Sequence, residues 1–375
     1  MTADFFLRSL TAKPKGQAVD ALKFLYQSAY GAGHLLAPEA ECAARIARET
    51  ESLAPDGEPP LEPLGNGLCR LRLRHPAVQA LPPVRIARMM AAAMGNTDGD
   101  VWFRHGTALV EALATAGVTA AMDEARLPFT AGHWRACLQS WRAQGGGPPS
   151  HSEAYRAAYA PAYRVTARRL AEALPLLTAV EQSLTLRGRA TLVLDGDCAA
   201  GKTSLAALLA PLYPATVIHM DDFFLPPALR TAERLAQPGG NVHAERFAAE
   251  VLTPLLAGGA FTYGAYDCHS GQTRPVMVRP QPVVLIEGSY ALHPAFDAAY
   301  RQLGAVRALL TVDAAEQLRR IRLRNGPAML ARFQEEWIPL EFQYFQAYHK
   351  PREDTLRLTS LRRPEDEPPG EESKP

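Results

Sequence analysis

The sequence predicts an α/β fold, a parallel sheet with flanking helices, over its C-terminal half, preceded by an all-helical N-terminal module. Three observations predict it. After residue 188, short apolar runs alternate with amphipathic helical runs. The first of those runs leads straight into a glycine-rich turn and an apolar helix. Before residue 185, apolar side chains recur at three- and four-residue steps.

Within the helical module, residues 18 to 50 read as helical, with Ala18, Leu22, Leu25, Tyr26 and Ala29 sharing the period. Residues 53 to 67 hold Pro55, Pro59, Pro60, Pro63, Gly65 and Gly67 and read as a loop. Helical patterns continue over about 83–94, 105–123 and 131–143, and Gly145–Ser150 is a linker or long turn. A last helix is expected over about 161–183, with Leu170, Leu174, Leu177, Val180 and Leu184 on one side. Tyr26–His34, and His151 to Tyr155 with Tyr159, Tyr163 and Arg164, gather polar aromatics that either line a small-molecule pocket or cap helices and fill the core. Trp102, Trp134 and Trp141 are expected in the core.

The strands of the second half are read at Ala190–Leu194, Thr216–Met220, Pro282–Ile286 and Val306–Val312. Strands spaced by helices imply βαβ units and a parallel sheet covered on both faces. The 375 residues divide as a helical module over 1–185, an α/β domain over 186–362 and a Pro/Glu-rich disordered tail over 363–375.

Composition excludes several classes. Forty Lys and Arg against 39 Asp and Glu leave a net charge of +1. That gives no footprint for nucleic acid or an anionic membrane, so any phosphate recognition must be local. The five cysteines are odd in number and lack CxxC spacing, which argues against a disulfide framework or a structural zinc site and for a reducing, cytoplasmic compartment. The first 16 residues lack the long apolar core of a secretory signal. The uncharged run Thr203–Met220 is long enough for a membrane helix, but Pro211 and Pro214 interrupt it, so it reads as a buried helix and then a buried strand. No HExxH, GxSxG or dinucleotide GxGxxG context appears.

Residues 196–203 read Gly196-Asp197-Cys198-Ala199-Ala200-Gly201-Lys202-Thr203, matching GxxxxGK followed by Ser or Thr. By chance a chain of this length matches on the order of once in a hundred at ordinary glycine content. Strand before and helix after supply the context the motif needs. A triphosphate must be held by many donors with no bulky side chain in the way. Gly196 and Gly201 permit close approach, and the loop amides from Asp197 through Thr203 and Ser204 face the phosphates at a helix N-terminus. Lys202 would bridge β and γ phosphates, and Thr203 would place its hydroxyl on Mg²⁺. Cys198 is either a small residue tolerated in the loop or a thiol whose pKa the helix end lowers.

Acids follow two strands. Asp221 and Asp222 end the Thr216–Met220 run, and Glu287 ends Val283–Ile286. Ligands of open parallel sheets bind outside the strands' carboxyl ends. A carboxylate there can take a proton from an acceptor hydroxyl or bind Mg²⁺. The bland alternatives are a helix cap for Asp221 or Asp222 and a solvated strand end for Glu287.

GDCAAGKTS, HMDDFF, GGNVHAERF with YDC further on, VVLIEG and LRRIRLRN occur in the order seen in uridine kinase, phosphoribulokinase and pantothenate kinase relatives. Over about 188–350 the chain resembles a uridine kinase-like P-loop kinase, and the first half lies outside that resemblance. The resemblance implies ATP and Mg²⁺ as cofactors and phosphoryl transfer to a hydroxyl of a nucleoside- or sugar-like small molecule. It implies Asp221 as base, Glu287 as magnesium partner beside Thr203 and Asp222, and lid arginines in Arg319–Arg324. The spacing departs from the family's after Ile321. Arg320 and Arg324 share a helix face and are assigned to phosphate. Acceptor contacts are assigned to Asn241, His243, Tyr263, Tyr266 and Asp267, with His243 alternatively a helix start and Tyr263 alternatively a strand core residue. A second reading is a regulatory protein that binds and slowly hydrolyses ATP while the helical module contacts a partner. A GTPase is not supported, because NKxD is absent. Homo-oligomerisation stays open.

Overall fold

Five strands of the second half form one parallel sheet, and its geometry decides where the site lies. The structure is a computed structural model and describes residues 2–33, 37–93, 99–116, 127–348 and 354–360. Two units divide between Glu172 and Ala173. The tail expected over 363–375 and the ends of two expected helices, at residue 94 and over 117–123, lie outside the described residues, as does His34.

The first unit is mainly helical. Its longer helices are Ala3–Thr11, Ala18–Tyr30, Glu39–Glu51, Pro83–Ala91, Gly99–Ala116 and Ala131–Ala143. The all-helical expectation needs one correction: the unit also holds an antiparallel sheet, β1 (Leu61–Gly65), β2 (Leu68–Arg72) and β3 (Tyr163–Ala167), in that order. β1 and β2 meet across Asn66 (φ 56°) and Gly67 (φ 70°), the left-handed pair that a two-residue hairpin requires. β3 lies where the expected helix over 161–183 begins. Ala160 in the left-handed region closes the helix Glu153–Tyr159, Pro161 follows, and β-branched Val165 and Thr166 then pair along β2. The helical period starts only at Arg168.

Trp102 and Trp134 are buried, while Trp141 is half-buried against Tyr26 and Phe103. The polar aromatic cluster is an internal network. His151 Nδ1 is 2.8 Å from Asp20 Oδ1, its Nε2 is 2.6 Å from the Tyr163 hydroxyl, and its ring stacks on Tyr155.

The second unit opens with helix Leu174–Arg187. Its strands are β4 (Ala190–Gly196), β5 (Ala215–His219), the antiparallel hairpin β6 (Phe261–Tyr266) and β7 (Thr273–Val278), then β8 (Val283–Glu287), β9 (Val306–Val312) and β10 (Thr355–Ser360). The parallel sheet runs β10-β9-β4-β8-β5. β4 and β8 are buried along their whole length, which is why they read as continuous apolar runs. On one face Ile218, Ile286, Phe223, Phe247, Phe296 and Tyr300 form a single core. The register sets Leu194 and His219 on either side of Glu287. Thus the carboxyl ends of β4, β8 and β5 share one edge.

The most deeply buried acid at that edge is Asp195. Asp195 is fully buried and accepts hydrogen bonds from the N–H groups of Gly196 (2.7 Å), Tyr290 (2.9 Å) and Leu292 (2.9 Å) and from the Tyr344 hydroxyl (2.7 Å). Asp195→Ala would leave these donors without their acceptor. Urea denaturation should then show a loss of about 3 kcal/mol or more, since bonds to a charged group each contribute about 1.5–3 kcal/mol. A loss below about 1 kcal/mol, the size of one neutral bond, would mean the donors find other partners.

Candidate active site

The loop between β4 and helix Lys202–Leu209 is shaped by glycine and by local left-handed turns. Gly196 sits at φ 139°, and a Cβ there would lie 1.8 Å from the Leu310 carbonyl oxygen of β9. Only glycine lets the loop leave the sheet there. Ala199 (φ 58°) and Gly201 (φ 87°) alternate with ordinary residues, the pattern that turns successive N–H groups to one side and makes an anion nest. The Asp197 N–H donates to Leu310 O (3.0 Å), and its carboxylate accepts from Val312 N–H (3.0 Å), so β9 anchors the loop. Burial pushes the Asp197 carboxyl up. Ala200 is buried, whereas Thr203 and Ser204 face solvent at the helix start. Lys202 is buried and donates to Gly196 O (2.7 Å), Asp197 O (2.9 Å) and the Ser289 hydroxyl (3.2 Å).

Glu287 meets this loop from β8. The Thr203 hydroxyl donates to its carboxylate at 3.0–3.1 Å, and His219 Nδ1 stands 2.6 Å from Oε1. Glu287 is therefore a buried, bonded carboxylate beside the loop rather than a solvated strand end. Gly288, at φ 140°, has no side chain to block Met220, whose Cβ would be 2.6 Å from one. That close approach brings Asp221 beside Glu287. Asp221 keeps solvent access although protein surrounds it on most sides. Desolvation pushes its carboxyl up, Lys202 opposes, and Glu287 adds repulsion. The adjacent Asp222 turns elsewhere and accepts from the Tyr263 hydroxyl at 2.7 Å.

The residues assigned to the acceptor have local partners. Tyr263 is buried in the core, and burial together with the Asp222 bond raises its phenol. His243 precedes helix Ala244–Phe247 and contacts Glu245 at 3.1 Å. Asp267 organises the β6–β7 turn by accepting from His269 N–H and the Ser270 hydroxyl, both at 2.8 Å. Tyr266 is buried at the end of β6. The Asn241 side chain meets the Tyr290 hydroxyl, and its Oδ1 is buried without a hydrogen bond. Of the arginines, Arg320 reaches the loop: it donates to Ala199 O (3.1 Å), Ser360 (2.8 Å) and Glu316 (2.6 Å). Arg324 is exposed and bonds Asn325.

Sequence reasoning missed Asp195, His219, Ser289, Gln317 and Glu341. Glu341 is buried, accepts from Cys198 N–H (2.9 Å) and from the Ser289 hydroxyl (2.6 Å), and is pushed up by burial. Gln317 donates to Cys198 O at 3.1 Å. Burial, with Glu341 nearby, holds the Cys198 thiol well above its ordinary range, opposite to the lowered thiol weighed from its place near a helix end. A lone acid within Asp195's apolar strand was the one available signal; Glu341 carried none. Among the described residues no group of three His, Cys, Asp or Glu side chains could hold a metal by itself, and no helix is long and apolar enough to cross a membrane.

No family model matches the chain, and no curated protein matches it. Among the solved structures that resemble it, three each do so over about half its length. One is a candidate fructose transport system kinase from Silicibacter sp. TM1040, 24% identical, with TM-score 0.38 over 48% of this chain and 97% of the other. The second is a possible uridine kinase from Bacillus stearothermophilus, 19% identical, with TM-score 0.33 over 48% and 99%. The third is a candidate P-loop kinase with a circular permutation from Saccharomyces cerevisiae, 9% identical, with TM-score 0.40 over 50% and 99%. The parallel sheet and its loop establish the α/β fold by themselves.

The Glu287 bond raises the His219 imidazole above its ordinary 6.5, against the opposing effect of burial. Stability from this pair is therefore full below about 6.5 and is lost as pH rises through the higher native value. An NMR titration should place His219 above 6.5, and Glu287→Gln should return it toward that value. An unmoved titration would separate the two groups.

Proposed function

We propose that this chain is a P-loop kinase that transfers a phosphoryl group from ATP to a hydroxyl of a nucleoside- or sugar-like small molecule. One observation carries the proposal: a nest-forming loop with a buried lysine, a Thr203–Glu287 pair and a solvent-accessible Asp221 converge at one edge of a parallel sheet. The nature of the acceptor comes from the sequence resemblance. The odd number of cysteines and their lack of CxxC spacing suit a reducing, cytoplasmic setting.

The fit to ATP is one of donors. The loop amides and Lys202 would hold the phosphates, with no Cβ at Gly196 or Gly201. Thr203 and Glu287 would hold Mg²⁺, which when bound supplies positive charge against the phosphate oxygens. One carboxylate and one hydroxyl suit an ion that takes much of its shell from water and phosphate. Asp221 would accept the proton of the attacking hydroxyl, and its raised carboxyl makes it a stronger base than a solvated aspartate. Lys202 would stabilise charge on the transferred group. Arg320 lies close enough to the loop to contribute, and Arg324 would have to turn inward from solvent to do so. Asn241, whose side chain meets the Tyr290 hydroxyl, would receive a substrate donor only if its buried oxygen came to face the acceptor. Tyr266, Asp267 and His243 would act on the acceptor only beyond the local bonds they already make, and Asp222 would meet Mg²⁺ through the oxygen that Tyr263 leaves free. Catalysis of this kind is mostly positioning and electrostatics.

Two variants test the proposal. With a panel of nucleosides and sugars, Asp221→Asn should lower acceptor-dependent ADP release by about 10²–10⁴-fold, the usual weight of a general base. ATP binding by calorimetry should persist. Lys202→Ala should weaken ATP binding or turnover by at least about tenfold. Unchanged turnover in Asp221→Asn removes the base, and ADP release indifferent to every acceptor favours the regulatory reading.

A further inference from the structure

The chain from Ala314 to Tyr348 is a helical excursion: Ala314–Arg332, kinked at Gly326 (φ 79°) before Pro327, a wide turn at Phe333–Trp337, and Ile338–Tyr348. It leaves the sheet after β9 and returns to the loop. Two of its side chains, one near each end, close on the same loop residue. Gln317 donates to the Cys198 carbonyl at 3.1 Å, and Glu341 accepts the Cys198 N–H at 2.9 Å. The second Glu341 oxygen takes the Ser289 hydroxyl at 2.6 Å, and Ser289 in turn accepts from Lys202 Nζ at 3.2 Å. Gln317, Ser289 and Glu341 are each less than a tenth exposed.

A buried carboxylate is tolerated only when its oxygens are bonded, and here both are used on one loop amide and on the hydroxyl that touches the loop lysine. The loop residue so gripped is followed directly by Ala199 in the left-handed region, where the chain turns its amides inward. Left alone, a loop of this composition would have to be ordered by its ligand, and that ordering would weaken binding.

We infer that Glu341, with Gln317 and Ser289, is a positioning residue for nucleotide binding. It clasps Cys198 and, through Ser289, Lys202, so that the phosphate loop is set before the ligand arrives. The inference rests on the reading of this loop as a nucleotide site, and it assigns a role to the returning helix beyond that reading.

The test uses the full chain, calorimetry with Mg–ADP and parallel thermal melts. Wild type is the control for the nucleotide site: no binding there overturns that reading, and the clasp with it. Given wild-type binding, Glu341→Ala should raise Kd about tenfold or more, beyond what the melt accounts for. Glu341→Gln should stay within about threefold, because its carbonyl can accept the Cys198 N–H and its amide can donate to Ser289. Glu341→Asp keeps the charge but not the reach, and should resemble Ala. Ser289→Ala should weaken binding several-fold alone but less than about twofold in the Glu341→Ala background, because the same chain is already cut. A folded Glu341→Ala that binds within twofold of wild type overturns the clasp. If Glu341→Ala does not fold, Ser289→Ala decides: binding within twofold overturns it, weakened binding upholds it. Equal Ser289→Ala effects in both backgrounds overturn the chain through Ser289.

Discussion

The second unit depends on one buried carboxylate. Asp195 stands at the end of the central strand, where removing a charge from water costs several kcal/mol unless every lone pair is used. It is used by donors from three parts of the chain: the loop's first residue, the segment after β8, and helix Ile338–Tyr348. These are the parts that must keep register for a site to exist. The same anchor holds Tyr290 in the left-handed region (φ 70°), a conformation costly for an aromatic residue and maintained by its surroundings. Tyr344, through its bond to Asp195, orients a helix whose previous turn carries Glu341.

The electrostatics of this edge differ from those of the whole chain. The molecule is almost neutral, but Asp195, Asp197, Asp221, Asp222, Glu287 and Glu341 crowd around Lys202, His219 and Arg320. Much of the acid is already committed: Asp195 to amides, Asp197 to Val312, Glu341 to Cys198 and Ser289. What faces a ligand is the Thr203–Glu287 pair and the loop amides other than those of Asp197, Cys198 and Ala200, while Lys202 spends its three hydrogens on Gly196, Asp197 and Ser289. Under the proposed function, such an edge would suit a polyphosphate accompanied by a divalent cation, whose charge would offset Glu287 and Asp221, better than a bare one. Neutrality over 375 residues therefore conceals a strongly structured local field.

Sequence legibility followed the range of the interactions. The loop was legible because its chemistry is local: two glycines, a lysine and a threonine within eight residues, with a strand before and a helix after. The positions of β4 and β8 followed from burial on both faces, although β8, like the half-buried edge strand β5, is displaced by one residue from its expected run, Pro282–Ile286 for β8 and Thr216–Met220 for β5. β10 and the pairing of β6 with β7 were not read, because short strands declare themselves only through partners. Asn66-Gly67 did carry a hairpin signal, masked by the surrounding prolines. Glu341 was illegible for a different reason. In its helix it looks like any amphipathic acid, and only the return of that helix to Cys198 gives it a partner.

The pair Asp221–Asp222 shows how adjacent, chemically identical groups come to differ. They lie in the tight turn Met220–Phe223, where successive side chains point in different directions. Phe223 goes into the core and stacks on Tyr263, and that packing brings the Tyr263 hydroxyl to Asp222. The bond ties the β6–β7 hairpin to the end of β5 and occupies one Asp222 oxygen. Asp221 is held instead by the close passage of Met220 over Gly288, which places it beside Glu287 and within the field of Lys202. One acid thus joins two pieces of structure, and the other keeps its access to solvent. Under the proposed mechanism, the solvent access left to Asp221 by the packing of Phe223 and Tyr263, rather than the order of the two residues in the chain, would suit Asp221 for the role of base.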